Sequence, residues 1–219
     1  MTREHISLFD TTLRDGQQTP GIDFSLDDKL AVIDLLDSLG LDYIEGGYPG
    51  ANPTDTALFG EPRKTKAKFT AFGMVKRAGR SVSNDAGLQD LLNAKSGAIC
   101  FVAKAWDYHV RVALGCTNEE NLESIRQSVE AAKFAGKEVL VDCEHFFDGY
   151  KANPDYALAC AKAAYESGAR CVVLCDTNGG TMPAEISEIV VAVTKSVPGS
   201  HLGIHAHNDT GQAVANSLA

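Results

Sequence analysis

The feature that most constrains this chain is a unit it repeats: a helical stretch, a glycine, then a short apolar strand that finishes on polar residues. Ser25-Leu26-Asp27-Asp28 reads as a capping box opening a helix with Leu26, Leu30, Ile33 and Leu36 on one face. Gly40 ends that helix, and residues 43–47 follow as a strand. Thr117-Asn118-Glu119-Glu120 is a second box, leading into Leu122, Ile125, Val129 and Ala132, with Gly136 stopping the helix before a strand over 139–144. Asn153-Pro154 puts a cap residue and a first-turn proline ahead of a further helix, closed by Gly168 before a strand over 171–177. The remaining strands read as residues 7–13, 69–73, 99–103 and 202–206.

Seven strands alternating with helices demand parallel pairing through right-handed crossovers. A doubly wound open sheet gathers its polar residues at one switch point. Here nearly every strand ends in chemistry: Arg14/Asp15, Glu45, Lys76, Lys104, Glu144, Asp176/Thr177 and His205/His207. A ring of polar strand ends is what the C-terminal face of a (β/α)8 TIM barrel supplies, so an α/β barrel is expected. No G-x-G-x-x-G or Walker loop supports a nucleotide site. Residues 211–219 read as the start of the seventh helix with no eighth strand after it. The expectation for residues 1–219 is therefore one incomplete catalytic barrel domain, truncated after about seven βα units.

Composition narrows the partners. The 219 residues are 44% hydrophobic, enough for one α/β domain with a sizeable core. A net charge of −9 with no basic arm argues against nucleic acid, and the excess acid lies on solvated helix faces. Six cysteines at 100, 116, 143, 160, 171 and 175 form no C-x-x-C pair and fall mostly in apolar stretches, as buried free thiols do. The opening Met1-Thr-Arg-Glu-His5 lacks the apolar core of a signal peptide, and no run approaches membrane-spanning length; a cytoplasmic location is expected.

Two histidines one residue apart on a strand point the same way, which makes His205 and His207 candidate metal ligands. The competing reading has one histidine packed and the other capping the next helix. Asn208-Asp209 stand where partners of ligand imidazoles belong. Arg14-Asp15-Gly16 follows the first strand, and in a closed barrel the first and late strands lie close together. Asp15 is then the carboxylate that completes a mixed N/O set, and Arg14 a guanidinium for a developing enolate or alkoxide; the alternative is a surface ion pair of little value. Glu144 is a second carboxylate at a strand end, or the partner of Lys104 in a salt bridge. Thr177 with Asn178-Gly179-Gly180 offers a hydroxyl and amides suited to a substrate carboxylate. His145 reads equally as pocket wall or packed residue.

Leu13-Arg14-Asp15-Gly16-Gln17-Gln18, with Lys29 eleven positions on, resembles the first signature of the α-isopropylmalate and homocitrate synthases. Leu202-Gly-Ile-His205-Ala-His207-Asn208-Asp209-Thr-Gly211-Gln-Ala213 resembles their second. The stretches from Ile44 to Pro53 and from Glu144 to Lys151 are most similar to citramalate synthases within this DRE-TIM metallolyase superfamily. The resemblance implies a Claisen-type condensation of acetyl-CoA with a 2-oxo acid, pyruvate above all, to give (R)-citramalate. It implies Asp15, His205 and His207 as ligands of a divalent cation (Mn²⁺, Mg²⁺, Zn²⁺ or Co²⁺), Arg14 on the reacting oxygen, Glu144 and Thr177 along the keto-acid pocket, and Gln18 in cofactor binding. It also implies a homodimeric parent whose eighth βα unit and C-terminal regulatory region follow residue 219. Related readings are an isopropylmalate or homocitrate synthase, or a lyase or aldolase that uses the same cation to cleave. A metal-dependent hydrolase would want more ligands on the early strands, where Thr11-Thr12-Leu13-Arg14 offers none, and a non-catalytic fragment would bind metal without turnover.

Overall fold

The computed structural model describes residues 5–219, so most of the opening segment read against a signal peptide lies outside the described residues. The chain divides into two compact units. The first, residues up to 73 with 86–100, holds β1 (Phe9–Asp10), α1 (Leu26–Ser38), β2 (Tyr43–Gly47), α2 (Pro53–Leu58), most of β3 (Lys68–Met74), α3 (Ala86–Asn93) and the start of β4 (Ala98–Lys104). The helices begin where the sequence offers caps. Ser25 and Asp28 close a full capping box at α1, and the Asn52 side chain accepts the N–H of Asp55 ahead of Pro53 at α2. β1, β2 and β3 pair in parallel, Phe9 opposite Tyr43 and Ile44 opposite Phe69. Ile33, Leu36, Ile44, Leu58, Phe69, Leu88 and Leu91 form the core of this unit, and Phe59 stacks on Phe69 with ring centroids 4.7 Å apart. Each such fully buried side chain contributes about 1.5–3 kcal/mol.

The second unit, residues 74–85 with 101–219, holds the remainder of β4, the single turn α4 (Asp107–His109), α5 (Asn118–Phe134), β5 (Glu138–Glu144), α6 (Phe146–Ala152), α7 (Pro154–Glu166), β6 (Cys171–Asp176), α8 (Pro183–Val193), β7 (Leu202–Ala206) and α9 (Ala213–Leu218). The Thr117–Glu120 capping box starts α5, and Asn153 caps α7. Ile125, Val129 and Ala132 of α5 are buried, as the helical spacing required, with Leu122 at the margin. β5, β6 and β7 pair in parallel, with Val141 opposite Val172 and Leu174 opposite Ile204.

Among the described residues the sheet order is β1-β2-β3-β4-β5-β6-β7. An open doubly wound sheet reverses its order at a switch point; this one does not. Seven strands in unbroken chain order, alternating with helices, are the TIM-barrel class, with seven of its eight strands among the described residues. No helix among the described residues is long and apolar enough to cross a membrane.

Two expectations need correction. The first strand spans Phe9–Asp10 rather than 7–13. The carbonyl of Thr11 accepts the N–H groups of Arg14, Asp15 and Gly16, and the Asp10 carboxylate accepts the Thr12 N–H at 2.9 Å, so the chain coils into a turn that takes in Leu13. Lys76, read as a polar strand end, lies two residues past β3 and is buried. Its Nζ donates to the Arg80 carbonyl at 2.9 Å and its N–H to Ser128 Oγ, which ties a loop to α5.

Candidate functional site

In the first unit the turn after β1 presents Arg14 and Asp15 side by side. Arg14 donates through Nε to Glu45 Oε2 at 2.6 Å and through a terminal nitrogen to Asp15 Oδ1 at 3.0 Å. Its guanidinium carbon also lies 3.9 Å from the centroid of the Phe72 ring. Glu45 comes from β2 and is fully buried. A buried carboxylate demands a counter-charge, and here it fixes the plane of the guanidinium. The ion pair anticipated at Arg14–Asp15 is therefore one half of an anchored pair of contacts.

Beneath this turn lies a feature whose meaning the sequence did not disclose. Lys29 of α1 is wholly buried, and its Nζ donates to the carbonyls of Leu13 and Gly46 and to Asp55 Oδ1. Asp55 Oδ2 in turn accepts the N–H of Tyr48 at 2.8 Å. One ammonium thus joins the residue before Arg14 to the residue after Glu45. Gly47 permits the arrangement: its φ is +148°, and a Cβ there would come within 2.5 Å of the Asp55 carboxyl carbon.

In the second unit the strands β5, β6 and β7 carry the remaining candidates. Side chains alternate across a sheet, so Asp142 and Glu144, Val173 and Cys175, and Gly203 and His205 share one face, with Asp142 opposite Val173 and Cys175 opposite His205. The rings of His205 and His207 stand 5.0 Å apart, centroid to centroid. Two imidazoles on successive same-side positions suit a divalent cation with open coordination positions. The His205 Nδ1 lies 3.9 Å from Asp142 Oδ2. A carboxylate beside this imidazole is thus Asp142 of β5. Asn208, expected beside the histidines, instead accepts the Ala213 N–H at 3.2 Å and starts α9.

Glu144 forms a salt bridge with Lys104, the alternative raised for it. Thr177 Oγ1 accepts the His145 N–H at 2.8 Å, which joins the ends of β5 and β6. His145 has φ +54°, a left-handed conformation rare for a residue with a side chain. Its Nδ1 lies 3.2 Å from Asp148, a carboxylate also held by Asn178, and its ring packs edge-on against His109. Burial, helped by the neighbouring His145 and Lys104, holds His109 below the ordinary imidazole range. Asp176 serves the scaffold: it accepts from the Thr181 hydroxyl at 2.8 Å and from the Asn216 amide of α9. Gln18 ends an exposed 3-10 turn over Gly16–Gln18. Among the described residues no cysteine is in a disulfide, and Cys100, Cys143, Cys160 and Cys175 are buried.

The chain is 49% identical to the (R)-citramalate synthase of Aquifex aeolicus over 98% of its own length and 41% of that protein. It is 50% identical to the (R)-citramalate synthase of Geobacter sulfurreducens over 97% of its length and 41% of that protein. The chain thus spans about two fifths of the length of the curated relatives it matches. Among solved structures, the HMG-CoA lyase from Brucella melitensis shares its fold, with a TM-score of 0.81 at 20% identity over 98% of this chain and 76% of that one. The HMGL-like family model matches residues 5–219, and the chain belongs to that family.

Proposed function

We propose that this chain is the condensing part of a cytoplasmic, homodimeric (R)-citramalate synthase, joining the acetyl group of acetyl-CoA to pyruvate. The observation that carries the reading is the likeness to citramalate synthases at 49–50% identity across nearly the whole chain. The paired imidazoles of His205 and His207 and the buried anchoring of Arg14 support it.

In this reading Asp15, His205 and His207 hold a divalent cation. A cation held there would supply Lewis acidity toward the 2-oxo acid. Glu144 accepts a proton from the acetyl methyl group. The methyl carbon bonds to the ketone carbon of pyruvate, and the carbonyl electron pair becomes an alkoxide. Arg14, held by Glu45, faces that new negative charge at no reorganisation cost. Thr177 binds the substrate carboxylate, and Gln18 contacts acetyl-CoA. The alkoxide takes up a proton, water cleaves the thioester, and CoA leaves as the free thiol.

The test supplies the purified protein with Mn²⁺, acetyl-CoA and, separately, pyruvate, 2-oxoisovalerate and 2-oxoglutarate. Thiol release and chiral separation of the product are followed. Pyruvate should lead by 10-fold or more in kcat/KM, since a methylene or two in a pocket shifts rates about 10–200-fold. A preference for 2-oxoisovalerate would reassign the chain to isopropylmalate synthesis. Cleavage of a hydroxyacyl-CoA with no condensation would make it a lyase.

A further inference from the structure

The second unit holds another donor set, of which the proposed reaction uses only His205. Cys175 of β6 is in register with His205 of β7, and Asp142 of β5 lies on the same face, two positions back across the sheet. Gly203 stands in register with Val173 and contributes no side chain. One ligand atom from each of Asp142, Cys175 and His205 lies within 4.8 Å of the others, and the His205 Nδ1 to Asp142 Oδ2 separation is 3.9 Å. A tetrahedral ion with bonds of about 2.0–2.3 Å spaces its ligand atoms about 3.3–3.8 Å apart, so this set closes on an ion by a contraction of about 1 Å. Asp142 and Cys175 are buried, and His205 is partly open.

The chemistry of the two sets differs. Two imidazoles and a carboxylate suit Mn²⁺, Mg²⁺ or Co²⁺, whereas a thiolate beside an imidazole and a carboxylate favours softer ions such as Zn²⁺ and Cd²⁺. We infer that Asp142, Cys175 and His205 form a second, thiophilic cation site built on the inner side of His205. Binding there releases the Cys175 thiol proton to solvent and engages His205 through Nδ1. A neutral imidazole has one lone pair to offer, so an ion on the inner set withdraws His205 from His207. That last consequence rests on the assignment of His205 to the catalytic cation; the inner site itself does not.

The experiment uses Cd²⁺ alone as probe, titrated into the protein and followed by thiolate-to-metal charge-transfer absorption in the ultraviolet and by calorimetry. The wild type should develop the band at one equivalent, Cys175→Ser should lose it, and Asp142→Asn should bind Cd²⁺ at least about 10-fold more weakly. His207→Ala should keep both the band and the Cd²⁺ affinity. No band in the wild type, or a band undiminished in Cys175→Ser, overturns the proposal. If Cys175→Ser fails to fold by circular dichroism, Asp142→Asn decides, and an unchanged Cd²⁺ affinity there overturns it. A parallel Mn²⁺ titration separates the two readings: Mn²⁺ binding retained in His207→Ala refutes the catalytic ligand set and leaves the inner site standing.

Discussion

Replacing Lys29 by methionine tests how the first unit holds its chemistry in place. The ammonium is fully buried and has three acceptors: the Leu13 and Gly46 carbonyls and the Asp55 carboxylate. Methionine fills the same channel with no charge, so the aliphatic packing is conserved while Asp55 is left buried with the Tyr48 N–H on its other oxygen. Removing one partner of a buried ion pair costs about 3–5 kcal/mol. Losing the donor to the two carbonyls belongs to the same penalty and is not added to it. The assay is guanidinium unfolding at pH 7, read as a shift of the midpoint with an unchanged slope. Lys29→Met should lose about 3–5 kcal/mol. The double variant Lys29→Met/Asp55→Leu should recover part of that, leaving about 1–3 kcal/mol for the unpaired carbonyls. Because Leu13 precedes Arg14 and Gly46 follows Glu45, Lys29→Met should also weaken Mn²⁺ binding under conditions where it stays folded. A Lys29→Met protein within 1 kcal/mol of the wild type would refute the reasoning, since a buried carboxylate cannot lose its partner cation so cheaply.

Other outcomes follow from single contacts. Glu45→Gln should lower kcat/KM for condensation about 10–150-fold, the worth of one charge-assisted hydrogen bond of about 1.5–3 kcal/mol, with Arg14 still present by mass and the fold intact by circular dichroism. Gly47→Ala should destabilise by about 1–3 kcal/mol or more, measured by thermal melting, because its φ of +148° and the Asp55 carboxyl both oppose a side chain. His109 has a lowered pKa in the folded state, so the unfolded chain binds more protons. Stability should therefore rise with pH toward the unfolded imidazole value of about 6.5 and fall below it; a His109→Gln variant should show a flatter Tm profile between pH 5 and 7. Burial pushes the Cys160 thiol up to about 12 and Cys171 to about 11, so both should resist a disulfide reagent at pH 8 until the protein is unfolded.

Much of the scaffold was legible because its signals are local. The capping boxes at Ser25 and Thr117, the Asn153-Pro154 start and the glycines at 40, 136 and 168 act within one turn of chain, and the structure puts helix ends at each. The parallel sheet followed from alternation alone. The first strand is shorter than the expected 7–13 because that stretch contains Asp10-Thr11-Thr12, whose side chains and carbonyls compete for the backbone N–H groups. At the site, Arg14 and Asp15 were placed by their position after a strand, but the carboxylate that holds Arg14 was not. Glu45 had a signal: an acid inside an otherwise apolar strand needs a cation. Asp142 had a weaker one, its even spacing from Glu144, and what it meets depends on the register of three strands, which no local pattern encodes. Lys29 stood out only as part of a signature and its burial was not legible, because burial of a lysine is decided by the carbonyls around it rather than by its neighbours in sequence.

The central claim is that residues near the start of the chain and residues near its end hold one cation between them. Mn²⁺ titration followed by electron paramagnetic resonance tests it without turnover, using the wild type and the single variants Asp15→Ala, His205→Ala and His207→Ala. The account predicts one Mn²⁺ per chain in the wild type and a loss of affinity of 10-fold or more in every variant, ligands being at least as costly to remove as the groups that orient them, which are worth about 10–100-fold. Wild-type affinity retained in Asp15→Ala alongside its loss in both histidine variants would contradict the account, placing the cation on the histidines without the carboxylate of the first strand.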